Sequence, residues 1–461
     1  MNTSAEQLFL DNLDPQWAWQ PFQPSQSDPW DFNAAAHLVR RASFGADDAR
    51  VKTLASGTPA QAVESLLAKD DNGAAFEQVA DQMADTLLAS DNPMTLSAAW
   101  VYRMLFTPEP ALENLVLFWH GHFATGADKV EKASLMWQQN RMLREHAFGD
   151  FAAMTQGIAK DPAMLIYLDS ASNRKSHPNE NFARELMELF CLGEGNYSEH
   201  DVLELARCFT GWEVRNNKFR KNRYQHDSGS KTVLSKTGNF DGEEAVKVVL
   251  EQEAMPLFIC EKLFRYLIAD GVTPPKSLLE QPAQLMRQSD LQIMPTLKLM
   301  LGSNLFQSSW ARQRKIKSPA HLIVGLMRGL KATSNSHRIA EGIREIGQGL
   351  FYPPNVKGWA GGRDWINSST LLGRANLIRD LVRDPDTKFD QGGLNDYLKR
   401  IKADRPGAAI DLYQRLMMVT ALPERTRQTL IESFPKFGKD SESRHRGLLH
   451  AVASQPTFQL G

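Results

Sequence analysis

The chain has 461 residues, with 53 basic against 54 acidic side chains and a net charge of -1. That balance supplies no global field toward nucleic acid or an anionic membrane, while the length is ample for a large buried core. No run of about 18 apolar residues exists, so no spanning helix is expected, and three cysteines (Cys191, Cys208, Cys260) without paired spacing argue against a disulfide framework or a zinc ribbon.

In chain order, residues 1–31 read as an irregular, Pro/Gln/Trp/Asp-rich arm whose Trp17, Trp19, Phe22 and Trp30 dock it on the body. The arm lacks a basic stretch followed by an apolar one, so neither a secretory nor a twin-arginine signal is expected. The localisation read from this is cytoplasmic, with export beside a partner left open.

From residue 32 to 461 we expect a single large helical domain. Helical spacing covers 34–39, 60–67, 95–106, 110–123, 129–147, 149–158, 161–168, 179–192 and 198–210. Thr58-Pro59, Asp161-Pro162 and Ser198-Glu199 are start signals. Residues 213–242 break the pattern with a basic, Asn/Ser/Gly-rich stretch that is either a long insertion or a short hairpin. Helices resume at 243–252, 255–268, 277–288, 291–301, 318–330 and 338–348. A second irregular stretch, 350–369, is rich in Gly, Pro, Asn and Trp, and five helical segments follow from 370 to 454. Strand–helix alternation and sequence repeats are both lacking, so the fold class is mainly α with long irregular loops at about 213–242 and 350–369.

Four constellations could carry chemistry. Glu113 and His120 lie seven apart and share a helix face, with His122 beside them. Two neutral imidazoles and a carboxylate can hold a divalent metal, with Glu180 as a further ligand; equally, both histidines can be wall residues under an aromatic cluster. Asn181, Arg184, Glu185 and Glu188 form one polar stripe, either a solvated face or a site in which Asn181 and Arg184 bind substrate and Glu185 acts in catalysis. His226 and Asp227 could move a proton and Lys231 could neutralise an anion, if this is not simply a solvated basic loop. Trp359 and Trp365, with Lys357 and Arg363 nearby, form either a platform for a sugar or peptide or a structural loop pinned by two buried indoles. No nucleophile elbow, zincin motif or phosphate loop is present.

Several of these stretches are similar to those of a bacterial family described as domain of unknown function 1800. They are Asn173 to Trp212, Ala36 to Arg41 with Phe44-Gly45, Phe118 to Phe123, His226 to Lys231, Asn355 to Trp359 with Trp365 to Ser368, and Pro456 to Leu460. The resemblance spans nearly the whole chain and brings no activity with it. It implies a sulfatase-like partner protein, and hence the alternative of a non-catalytic binding or assembly role. The favoured expectation is a metal-dependent hydrolase, ahead of an oxidoreductase, acting on a polar or anionic substrate in a helical cleft.

Overall fold

A computed structural model describes residues 5–461. Among them 63% are helical, in 27 helices, and the sheets are three two-stranded ribbons. The fold is mainly α, as the spacing of apolar residues requires.

The start signals act as local physics dictates. The Thr58 side chain and Gln61 form a reciprocal cap on Pro59–Leu67, and Ser198 with Asp201 does the same on Glu199–Cys208. Asp161 accepts from the Met164 N–H at the start of Pro162–Tyr167. The helix Ser368–Arg383 is capped by Asn367, whose side chain accepts from the Thr370 N–H. The N-terminal arm is more ordered than expected, with helices at Ala5–Asp11 and Pro15–Trp19. The Trp19 indole is buried and donates to the Leu278 carbonyl, whereas Trp17 stays exposed.

The stretch 213–242 resolves into two antiparallel hairpins, Trp212–Arg215 with Lys218–Lys221 and Lys231–Val233 with Lys236–Gly238. Each turns through two residues with positive φ, Asn216-Asn217 and Leu234-Ser235, the twist that two-residue hairpins favour. The stretch 350–369 stays irregular apart from one turn of 3-10 helix at Gly362–Trp365.

The helix Pro110–His122 runs through the middle, with Leu115, Val116 and Trp119 buried. Around it pack Pro93–Phe106 and Ala133–His146, and Ala254–Leu267 meets it through Tyr266 on Phe118 and Asn114 and Phe258 on His122. The buried apolar residues form one contiguous cluster reaching from Leu10 to Phe458. All three cysteines are free and buried in it, where desolvation pushes the Cys208 thiol up to about 12. No helix among the described residues is long and apolar enough to cross a membrane.

Candidate functional site

The expected site residues are dispersed over several separate places. Glu113 lies in the core in an ion pair with Arg144 and accepts from the Trp100 indole at 2.9 Å. Burial alone would raise its carboxyl, but Arg144, with Arg103 behind it, brings it below the usual carboxylate range. His120 sits in an aromatic cage, edge-on to Trp100 and Phe351 with Trp359 nearby. Burial lowers its pKa to about 3. His122 points elsewhere, between Phe258 and Phe190. Glu180 is on the surface, paired with Arg184 at 3.2 Å. Among the described residues no three His, Cys, Asp or Glu side chains converge as a metal would require, so the structure does not bring His120, His122, Glu113 and Glu180 together.

The polar stripe behaves as a surface. Arg184 is held by Glu199 at 2.7 Å as well as by Glu180, and Glu188 accepts from the Tyr197 hydroxyl. The Asn181 amide donates to the Leu168 carbonyl. Glu185 is half-buried; desolvation and then Glu188 push its carboxyl up, while Lys357 and Arg184 pull it back.

The third cluster is bonded to the segments around it. Asp227 accepts from Arg207 at 2.7 Å and from the Gly229 N–H, which ties the loop to the helix Glu199–Cys208. His226 Nδ1 lies 3.0 Å from the Thr210 carbonyl. Lys231 is buried and donates to the Phe240 carbonyl at 2.8 Å. Each of the three is bonded to a group of a neighbouring segment rather than to the other two, and only Lys231 is fully buried.

A cavity of about 470 Å³ opens on the other side of the central helix, a volume suited to a small molecule. Its walls are Arg40 and Phe44 from the helix Phe32–Ala42 and the turn after it, His122, Phe258 and Lys262 from Ala254–Leu267, the segment 315–326, and the loop 357–365. Trp359 and Trp365 both stand in that last wall. The loop reaches the helix through a glycine pair. Gly358 has φ +74°, and a Cβ there would strike the carbonyl of Gly121.

Seven basic side chains line the cavity against two acidic ones. Lys315 pairs with Asp270 and Arg265 with Glu261, which uses both acids. Lys315 and Lys317 face the same way because 315–317 is extended against 459–461, through Lys317 N–H to Gln459 O at 2.8 Å and Gly461 N–H to Lys315 O at 3.0 Å. Arg41 is locked on backbone carbonyls, among them Ile268 at 2.7 Å and Ala311 at 2.6 Å, and Lys317 on those of Met417 and Phe458.

Lys262 differs from these. Its ammonium lies 4.8 Å over the Phe258 ring and has no hydrogen-bond or ion-pair partner among the described residues. Burial first, then Arg265, brings its pKa down to about 8. Beside it, His122 donates Nε2–H to the Phe190 carbonyl at 3.0 Å. Burial and then Lys262 keep this imidazole neutral, so Nδ1 carries a lone pair, and that atom is buried without a partner among the described residues. The Arg40 Nε is likewise unpartnered.

Of the residues singled out from sequence, His122, Trp359 and Trp365 meet at this cavity. The sequence reading missed Lys262, Ser318, His321 and Gln348. One signal was available: Phe258, Glu261, Lys262, Arg265 and Tyr266 recur at helical spacing and place a charged, aromatic stripe on an otherwise apolar helix.

A family model described as "Protein of unknown function (DUF1800)" matches residues 37–460. No curated protein and no solved structure matches.

Proposed function

This chain belongs to the DUF1800 family, and we propose that it binds a small amphiphilic anion in the cavity beneath the 357–365 loop. The observation that carries the reading is the partnerless ammonium of Lys262 in a cavity whose two acids are already paired. A half-buried, desolvated cation without a counter-ion costs free energy, and the fold keeps it where a ligand could supply the missing charge. Phe44, Phe118, Phe258, Trp359 and Trp365 give the walls apolar surface, so the ligand needs an apolar body as well as an anionic end such as a carboxylate, phosphate or sulfate. The cationic lining draws such a ligand in from solution. The charge comes entirely from side chains, so the reading requires neither a divalent ion nor a sulfatase-like partner.

Calorimetric titration with 4-phenylbutyrate and its neutral amide, 4-phenylbutyramide, tests this. The expected result is saturable binding of the acid alone, lost in Lys262→Met. That variant should also melt at a higher temperature than wild type, because removing a desolvated charge relieves its cost; loss of binding is thereby separated from loss of fold. Equal binding of acid and amide, or undiminished binding by Lys262→Met, overturns the proposal.

A further inference from the structure

One side of the same cavity carries a hydrogen-bonded chain that anion binding alone does not use. Ser318 caps the helix Pro319–Gly329 and lies 2.8 Å from His321 Nδ1. His321 Nε2 lies 2.8 Å from Asn114 Oδ1, which also accepts from the Tyr266 hydroxyl at 2.7 Å. The Asn114 amide nitrogen donates to the Arg41 carbonyl, so Oδ1 is the atom that faces the imidazole. His321 Nε2 must therefore carry the proton, Nδ1 must accept, and the Ser318 hydroxyl must donate to it. Gln348 completes the set. Its Oε1 accepts the Ala320 N–H at 2.9 Å, and its Nε2 has no partner among the described residues. Ser318, His321 and Gln348 all line the cavity.

A hydroxyl bonded to a neutral imidazole, an imidazole oriented by a third group, and a free amide donor beside them are the parts of an acyl-transfer site. Resting on the anion-binding reading, we propose that Ser318 is the nucleophile of a metal-free esterase whose substrates are carboxylic esters bearing an anionic group. Ser318 Oγ adds to the ester carbonyl carbon and its proton passes to His321 Nδ1. The developing oxyanion receives a hydrogen bond from Gln348 Nε2. The carbon–oxygen bond to the alcohol then breaks, His321 returns the proton to the departing alkoxide, and an acyl ester remains on Ser318. Water attacks that ester through the same proton path, releasing the acid and restoring the hydroxyl. Asn114 and Tyr266 are positioning residues: they fix the imidazole without touching substrate.

The substrate's anionic group has a second task. His321 is held neutral, at about 3, by burial and then by Lys315, Arg41 and Lys317. A bound anion offsets those cations and makes the imidazolium accessible during the reaction.

The test uses the full chain with two probes, phenylmethylsulfonyl fluoride and the anionic ester 4-nitrophenyl hemisuccinate. One sulfonyl adduct per chain should map to Ser318, and the ester should give a burst of one nitrophenolate per chain. Both should fall roughly 10²-fold or more in Ser318→Gly, a substitution that keeps most of the cap's stability. Asn114→Asp should shift the pH midpoint of the burst upward by placing a carboxylate on the imidazole, a change a merely structural residue would not produce. A folded wild type unmodified at Ser318 by both probes, or an equal burst in Ser318→Gly, overturns the proposal. Binding of 4-phenylbutyrate, measured on the same samples, keeps the two readings apart: binding without an adduct removes only the nucleophile, and an adduct without binding removes only the anion site.

Discussion

His122 Nε2–H meets the carbonyl of Phe190 at 3.0 Å, at the end of a π-helical turn that spans Leu186–Cys191. The last carbonyls of a helix have no partner within it, and this one is buried, so the imidazole satisfies it and is fixed in return. His122→Leu should leave that carbonyl unpaired and destabilise the fold by about 1–3 kcal/mol. It should also weaken 4-phenylbutyrate binding, by removing the free Nδ1 beside Lys262. Urea unfolding together with calorimetry checks both effects, and unchanged stability would show that the contact does not matter.

Stability should fall on mild acidification. His120 and His321 are lowered to about 3, and His37 and His122 well below their ordinary value, in each case chiefly by burial. The native state keeps all four neutral, while the unfolded chain protonates them near pH 6.5. Their contribution is therefore complete above about 6.5 and is lost as pH falls toward 3, by up to about 1.4 kcal/mol per pH unit for each histidine. Asp161, pushed up to about 7 by burial, acts in the opposite sense, since acidification relieves its charge. Glu185, half-buried and also pushed up, acts with Asp161, but two carboxyls do not offset four imidazoles. Urea midpoints at pH 7.5, 6.0 and 5.0 should fall in that order; a flat series would contradict the burial of these rings as neutral groups.

Gly358→Ala should both destabilise the protein and disturb the cavity. The residue sits at φ +74°, and a Cβ would meet the Gly121 carbonyl, so strain and clash act together, at about 1–3 kcal/mol. The loop must move to accommodate the methyl group and carries Trp359 with it. Quenching of tryptophan fluorescence by iodide should increase and anion affinity should drop. A variant with the stability and affinity of wild type would mean the loop does not depend on this close approach.

Glu113→Gln should separate structure from function. It breaks a buried ion pair and leaves Arg144 uncompensated, at a cost of about 3–5 kcal/mol. The pair lies away from the cavity lining, so at a temperature where the variant is folded, 4-phenylbutyrate affinity should match wild type. Divalent metal content, measured by mass spectrometry beside a His120→Ala/His122→Ala double variant, should be the same in all three proteins. Metal present in wild type and lost in either variant would revive the metal-ligand role first expected of Glu113, His120 and His122.

The sequence alone determined the helical fold, because period and caps are local. Pro110–His122 follows from apolar residues at helical spacing, and Thr58 and Ser198 bond backbone groups three residues away. It also marked His122, Trp359 and Trp365, unusual residues in a dense aromatic or irregular setting. It could not decide which charges find partners. Arg184, Asp227 and Lys231 are candidate binding or proton-moving groups in the chain and are paired in space with groups from other elements. Lys262 looked like one lysine among many and lies over a phenyl ring with no hydrogen-bond or ion-pair partner among the described residues. In the Ser318–His321–Asn114 chain the first link is local, three residues apart, and the second joins residues 207 positions apart. Tertiary packing decides burial and pairing, and desolvation with the nearest opposite charge sets what a polar side chain can do.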